Sequence, residues 1–116
     1  INLLECKAAS QEGMIALGEH TFPGRLPESG VYPPAGTPLA VCVRMERLRY
    51  GKEGPEGHWS LPGTLIEHRY AGGSLHSTVQ LSDGQRMTAF SERRQEIEPG
   101  EAVQVWWKEK NAAIII

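Results

Sequence analysis

Long apolar runs and an excess of charge of one sign are both missing from this sequence. A membrane-spanning helix needs about 20 consecutive apolar residues, and the closing apolar run, AAIII at 112–116, is far shorter. The net charge is −2, so the chain has no general electrostatic attraction to nucleic acid or anionic lipid. Only 7% of its residues are aromatic. These features argue against a membrane-spanning helix and against a nucleic acid-binding protein.

The motifs of nucleotide hydrolysis and nucleophilic catalysis are missing as well. A phosphate loop, GxxxxGK[ST], needs a lysine and a hydroxyl after its second glycine, because its backbone amides curl around the phosphates. Gly51-Lys52 is followed by Glu53, and Glu46 stands where the first glycine should be. The nucleophile motif GxSxG is absent too. We therefore expect no catalytic residue and no bound cofactor in this chain.

Cysteine and histidine are few and poorly spaced for metal binding. Cys6 and Cys42 lack CxxC spacing, and the 4 histidines lack HxH or HxxxH spacing, whereas zinc sites use short spacings of this kind. We expect no metal site and interpret the cysteines as small thiols in a reducing compartment. The sequence starts at Ile1 without a Met or a signal peptide, so we expect it to be a piece of a longer protein.

Turn residues and alternating patterns are what the sequence does contain. Its 13 Gly and 8 Pro favour many short strands joined by turns. Apolar and polar residues alternate over 39–48, 75–81 and 101–107, with the period of a half-buried strand. Asp83-Gly84 predicts a two-residue hairpin turn. About eight strands without βαβ alternation predict an all-β fold, made of small OB-like β-barrels of short antiparallel strands.

Three finer expectations concern the order of elements along the chain. We expect Pro62-Gly63 to break the strand-like segment at 58–70, and a helical turn only within 91–98. The polar loop at 50–57 predicts a boundary between two halves, 1–52 and 57–116, of one domain that spans 1–116.

A basic cluster near one strand end is the best candidate for a binding surface. The cluster comprises Arg44, Arg47, Arg49 and Lys52, near Tyr50 and Trp59. OB-type barrels combine basic grooves with aromatic rings that stack on ligands. Trp106 and Trp107 fall on opposite faces of one strand, so we expect one in the core and the other at an interface. An ordinary charged strand interleaved with Glu46, an anion or protein contact, and a nucleic acid contact all fit these charges.

The segment at 72–107, GGSLHSTVQLSDGQRMTAF…IEPGEAVQVWW, resembles the C-terminal half of a TOBE domain. This is the transport-associated OB-fold behind the ATPase domain of many bacterial and archaeal ABC importer subunits. The matching positions are Leu81, Asp83, Gly84, Ala89, Ile97, Gly100, Glu101, Val103, Val105 and Trp107. The opening INLLE resembles the segment that follows the ATPase domain. Arg44 and Glu46 match the family's R-P-E motif, and Met45 replaces the proline that makes a tight bend.

This resemblance implies a regulatory and dimerisation domain of the ATP-binding subunit of an ABC importer, non-catalytic by itself. The ATPase domain, with ATP and magnesium, would lie before Ile1, and the parent complex would be cytoplasmic and peripheral at the inner face of the cell membrane. Its partners would be a second ATPase subunit, the membrane subunits, and a small solute or a regulator protein. Polyamine or iron is the favoured transported solute. The expected contact residues are Arg44, Glu46, Arg49, Trp106 and Trp107.

Two alternatives belong to other classes of function. One is a binding module for a small oxyanion such as molybdate or sulfate, in which Ser74, Ser77 and Thr78 would supply hydroxyls. The other, less favoured, is an OB domain that binds single-stranded nucleic acid.

Overall fold

The computed structural model describes residues 1–11, 13–24, 32–54, 60–91 and 96–115. Regular structure in these ranges is β-strand apart from two short 3₁₀ turns, which confirms the predicted all-β class. The strands are β1 (Asn2–Ala8), β2 (Met14–Leu17), β3 (His20–Pro23), β4 (Pro38–Val43), β5 (Arg49–Gly51), β6 (Leu61–Ala71), β7 (Ser74–Leu81), β8 (Arg86–Ser91), β9 (Ala102–Trp106) and β10 (Ala112–Ile115). Trp59 and residues 92–95 of the predicted helical turn lie outside the described residues.

The strands form two antiparallel sheets of five strands each. In sequence, all strands of one sheet come between two consecutive strands of the other. The first sheet has the order β10-β4-β1-β2-β3 and the second has the order β5-β9-β6-β7-β8. The strands of the second sheet all come from 49–106, between β4 and β10 of the first. β5 belongs to the predicted first half but pairs with β9, and β10 belongs to the predicted second half but pairs with β4. The division into halves 1–52 and 57–116 stays a prediction.

Each sheet curls so that its two edges approach each other, as in an OB-like barrel. In the first sheet, Gly24 follows β3 and lies against Ile15 and Ile114. A Cβ at Gly24 would be 2.4 Å and 2.9 Å from the Cδ1 atoms of these two residues. In the second sheet, the 3₁₀ turn Met45–Arg47 precedes β5 and packs against β8. The missing side chain of Gly24 therefore leaves room for the ends of the Ile15 and Ile114 side chains.

Alternation along the strands sends every second residue into the core. In β7, Leu75, Ser77, Val79 and Leu81 are buried while the residues between them are half-buried, and β1 alternates between buried and exposed. Shielding one large aliphatic side chain from water stabilises the fold by about 1.5–3 kcal/mol. The most completely shielded aliphatic residues are Leu4, Val43, Leu65, Val79 and Val105.

Three local predictions about strand and turn positions were wrong. Helical turns were expected only within 91–98, but the two 3₁₀ turns are Met45–Arg47 and Glu109–Asn111, and the first of them follows β4, which ends at Val43 within the strand expected over 39–48. β6 runs through Pro62 and Gly63 without a break. Its pairing with β7 begins only at Gly63, so that side of β6 is still an edge at Pro62, where proline is tolerated. The hairpin loop has three residues, because the Leu81 N–H donates to the Gln85 carbonyl at 2.8 Å and the Gly84 N–H donates to the Leu81 carbonyl at 3.0 Å. Only Gly84 in this loop has a positive φ, +91°, which is the geometry of a type I turn followed by a glycine bulge.

Two side-chain amides, which we call the amide clamps, join the first sheet to the second. Asn2 on β1 donates through Nδ2 to the Thr88 carbonyl at 2.8 Å and accepts the Thr88 N–H at 2.7 Å. Gln85 donates through Nε2 to the Glu5 carbonyl at 2.8 Å and accepts the Glu5 N–H at 2.7 Å. Asp83 accepts hydrogen bonds from the main chain and the side chain of Gln85. The hairpin loop thus orients the second clamp.

Candidate functional site

The chain crosses between the two sheets twice, at 44–48 and at 107–111. Each crossing contains one 3₁₀ turn, Met45–Arg47 in the first and Glu109–Asn111 in the second. The Arg47 N–H donates to the Arg44 carbonyl at 2.9 Å, and the Asn111 N–H donates to the Lys108 carbonyl at 2.8 Å. The first crossing bends with Met45 in place of proline, so the bend does not depend on that proline.

The two crossings line a cationic cavity of about 150 Å³, which we call the crossover groove. Its lining residues are Arg47, Arg49, Trp106, Trp107, Lys108, Lys110 and Asn111. Two arginines and two lysines are among them, and no carboxylate from the described part of the chain is. Since the whole chain has a net charge of −2, this groove is a local reversal of charge. Such a surface attracts anions.

Arg49 and Trp106 are direct cross-strand neighbours on β5 and β9. The Arg49 Nη1 donates to the Glu46 carbonyl at 2.7 Å and to the Leu48 carbonyl at 3.1 Å. Both acceptors are uncharged main-chain groups, so these bonds orient the guanidinium without neutralising it. The Trp106 ring lies over Gly51, where a Cβ would be 3.2 Å from its Cη2 atom. Gly51 therefore leaves room for the ring that forms one wall of the groove.

The two adjacent tryptophans have different environments. Trp107 is 2% exposed and meets the Phe22 ring edge-on, with centroids 5.7 Å apart and an interplanar angle of 83°. Trp106 is only half-buried. One tryptophan belongs to the core and the other reaches the surface, as the alternation predicts. That Trp106 contacts a partner stays a prediction.

Arg44, Glu46 and Lys52 are not among the residues that line the crossover groove. The Arg44 Nε lies 3.3 Å from the Glu46 Oε1, and these side chains are 74% and 50% exposed. An ion pair exposed to this degree contributes about 0–1 kcal/mol. Lys52 instead pairs with Glu101, and its hydrogen bond is the main cause that lowers the pKa of that carboxyl. The predicted contact residues that line the groove are Arg49, Trp106 and Trp107.

A second candidate surface is the outer side of the first sheet. We call it the outer apolar face, and it consists of Leu3, Ala40, Cys42, Ala113 and Ile115. Leu3, Cys42 and Ala113 face one another across three neighbouring strands, and Ala40 pairs with Ile115. Leu3 is 58% exposed and Ile115 is 54% exposed. Glu5 pairs with Ala40 on the same side of the sheet, so a carboxylate borders this face. Exposed apolar residues that lie together commonly mark a contact with another molecule.

A buried chain of polar groups crosses the second sheet. The Tyr50 hydroxyl lies 2.8 Å from the Ser77 Oγ, which lies 2.8 Å from the His68 Nδ1, and the His68 Nε2 lies 2.6 Å from the Ile97 carbonyl. Since a carbonyl can only accept, the His68 ring donates to it from Nε2. Burial raises the pKa of Tyr50, and the hydrogen bond with Ser77 opposes this. Each polar group in this network has a hydrogen-bond partner, so we interpret the network as structural. The network includes Ser77, one of the hydroxyls considered above for oxyanion binding.

Other classes of site find little support within the described ranges. No helix there has the length and apolar character to cross a membrane. In the same ranges, no three side chains of the metal-binding types His, Cys, Asp and Glu come together. Burial and the nearby Asp83 charge raise the pKa of the Cys6 thiol to about 12. A thiol with such a pKa is unreactive at neutral pH.

The family profile of the TOBE domain matches residues 41–115, which include both crossings, the second sheet and β10. The chain belongs to the TOBE domain family. This match confirms the resemblance read from the sequence. Among solved structures, this TOBE domain is similar to the cytoplasmic molybdate-binding protein ModG with molybdate bound. The TM-score is 0.72 at 17% identity, over 99% of this chain and 95% of that chain. A search of curated proteins gives no match.

Sequence reasoning did not single out Lys108, Lys110 and Asn111 of this TOBE domain. The run KEKN after Trp107 has the composition of an ordinary solvated turn. Its significance comes from the pairing of β5 with β9, because antiparallel pairing places the residues before one strand beside those after the other. Arg47 precedes β5 and Lys108 follows β9. Two basic runs at the ends of paired strands could therefore have indicated the groove, but only if the pairing of β5 with β9 had been known.

Proposed function

We propose that this TOBE domain is the regulatory and dimerisation domain of the ATP-binding subunit of a bacterial ABC importer, non-catalytic by itself. The observation that carries the proposal is the outer apolar face, since Leu3 and Ile115 are more than half exposed within the described chain. An exposed apolar surface of this kind suits packing against the same domain of a second subunit. The family match supports the transport-associated setting.

Such a domain acts through differential contact with its partners. A solute or regulator that prefers one arrangement of two domains shifts the paired ATPase subunits between open and closed forms, typically by about 1–3 kcal/mol. The proposal places the domain in the cytoplasm at the inner face of the membrane, held there by the membrane subunits. Transport of a polyamine or of iron is part of the same proposal.

The complete gene product that carries this chain tests the proposal. We expect it to contain a phosphate loop, to hydrolyse ATP and to form a dimer. Ile115→Glu should weaken that dimer, because it places a charge in the outer apolar face. Tyr70→Glu is the matched control, since Tyr70 is 64% exposed on β6 of the other sheet. A complete product without ATP hydrolysis, or a dimer that both substitutions leave intact, contradicts the proposal.

A small-oxyanion-binding module is the second candidate function. The crossover groove favours it, because four cationic side chains line a small cavity. The fold likeness to ModG, described as a molybdate-binding protein, adds support. Titration calorimetry of the 116-residue chain with sodium molybdate and sodium sulfate at constant ionic strength tests it. Saturable heat from either salt supports this function, and none from both contradicts it.

A further inference from the structure

We propose that the crossover groove binds a free tetrahedral oxyanion, and that the bound anion ties the two chain crossings together. The anion would thereby act as a signal on the arrangement of the two sheets. This inference rests on the second candidate function, and it adds a location and a consequence to it.

The positive charges of the groove come in equal number from its two sides. Arg47 and Arg49 belong to the first crossing and the strand after it, and Lys108 and Lys110 belong to the second crossing. An anion between the two pairs receives charge-assisted hydrogen bonds from both sides. The Asn111 amide supplies a further donor to the same cavity.

The size and the walls of the groove suit a compact anion. A cavity of about 150 Å³ has room for a compact anion together with a few water molecules. The half-buried Trp106 ring forms one wall of the groove, and the exposed basic side chains border it.

The carboxylates of the two crossings do not occupy the groove. Glu46 forms its ion pair with Arg44. Glu109 borders a different cavity, together with Ile15 and Phe22. Neither acidic side chain lines the crossover groove, so neither competes with an incoming anion for its cations.

The same geometry links binding to the arrangement of the sheets. One 3₁₀ turn in each crossing carries the chain from one sheet to the other. In the first turn the Arg47 N–H donates to the Arg44 carbonyl, and in the second turn the Asn111 N–H donates to the Lys108 carbonyl. A ligand that contacts both crossings stabilises both turns at once, because it favours the state that it binds.

Calorimetry with matched charge variants tests the location of the site. The probes are sodium molybdate, sulfate and phosphate, with the 116-residue chain at constant ionic strength. Arg47→Gln and Lys108→Gln should each weaken binding about tenfold, the effect of losing one charge-assisted hydrogen bond. Lys7→Gln on β1 makes the same charge change away from the groove and should alter affinity less than about twofold. All three side chains are exposed, and thermal melts would verify that the variants fold.

Amide hydrogen exchange tests the link between the two crossings. A saturating concentration of the tightest-binding probe should slow exchange of the Arg47 and Asn111 amides together. Protection of only one of them, or of neither, overturns the inference. Binding that survives Arg47→Gln and Lys108→Gln places the anion elsewhere, which overturns the inference but leaves the oxyanion function standing. Absence of binding by all three probes overturns both.

Discussion

Loss of the Asn2 amide clamp should destabilise the chain by far more than a typical change near a chain end. Asn2 is 7% exposed, and its side chain satisfies both main-chain groups of Thr88. Asn2→Ala leaves that N–H and that carbonyl without their partner at the junction of the two sheets. An unpaired buried polar group costs about 1–3 kcal/mol. Since this site is partly buried, we expect a loss of about 2–3 kcal/mol for the two groups together.

The comparison between the two amide clamps makes this prediction specific. The Gln85 clamp to Glu5 has the same geometry but is exposed. Water can replace its bonds, so Gln85→Ala should cost only about 0.5–1 kcal/mol. Asn2→Asp provides a second control, because its size is nearly unchanged while an acceptor replaces the donor that faces the Thr88 carbonyl. A loss of stability in Asn2→Asp therefore cannot come from a cavity.

Urea unfolding followed by tryptophan fluorescence measures these differences, since Trp107 is buried in the native state. The midpoint should fall for Asn2→Ala while the slope of the free energy of unfolding against urea stays unchanged. A loss below about 0.5 kcal/mol, within the range of neutral surface substitutions, refutes the reasoning. Equal losses for Asn2→Ala and Gln85→Ala would refute it as well.

Three further predictions concern packing, thiol reactivity and an ion pair. Gly63→Ala should cost about 1–3 kcal/mol in urea unfolding, because its Cβ would lie 2.6 Å from a side chain and 2.9 Å from a carbonyl of β7; an unchanged midpoint would show that β7 can move aside. With a disulfide reagent at pH 8, the half-exposed Cys42 should react at once, whereas the buried Cys6, with a pKa of about 12, should react only on unfolding. Rapid reaction of both thiols in the native chain would contradict this prediction. Lys52→Met should raise the pKa of Glu101, measured by NMR. The ionised Glu101 carboxylate stabilises the native chain, because its pKa is lowered there. This stabilisation is present above the pKa of Glu101 in the unfolded chain and is lost as the pH falls through its pKa in the folded chain. A Glu101 pKa that is the same in Lys52→Met would contradict the prediction.

Local pattern was sufficient to predict most strands and the fold class. The alternation of Leu75, Val79 and Leu81 predicted β7, and turn residues predicted the hairpin that follows it. The pairing of β10 with β4 was beyond reach, because Ile114 faces Val41 across a large sequence separation and alternation does not specify which strand is the neighbour. The same pattern could not show that β6 passes through Pro62, since that depends on where its partner begins.

The candidate site was predicted only in part, for a related reason. Arg49 and Trp106 drew attention as a cation and an aromatic residue on strands. Lys108 lies on the opposite side of the groove, and it becomes a candidate binding residue only because the second crossing lies beside the first. Arg44 and Glu46, selected by family resemblance, form an exposed ion pair beside the groove. Side-chain chemistry was readable from the sequence, whereas the convergence of two crossings is a property of the topology.

Sedimentation velocity of the 116-residue chain over a concentration series tests most directly that this TOBE domain works by contact through its outer apolar face. The account predicts reversible self-association of the native chain, its loss in Leu3→Glu, and its retention in Tyr70→Glu. A native chain that stays monomeric throughout the series, or a Leu3→Glu chain that associates as before, would contradict it.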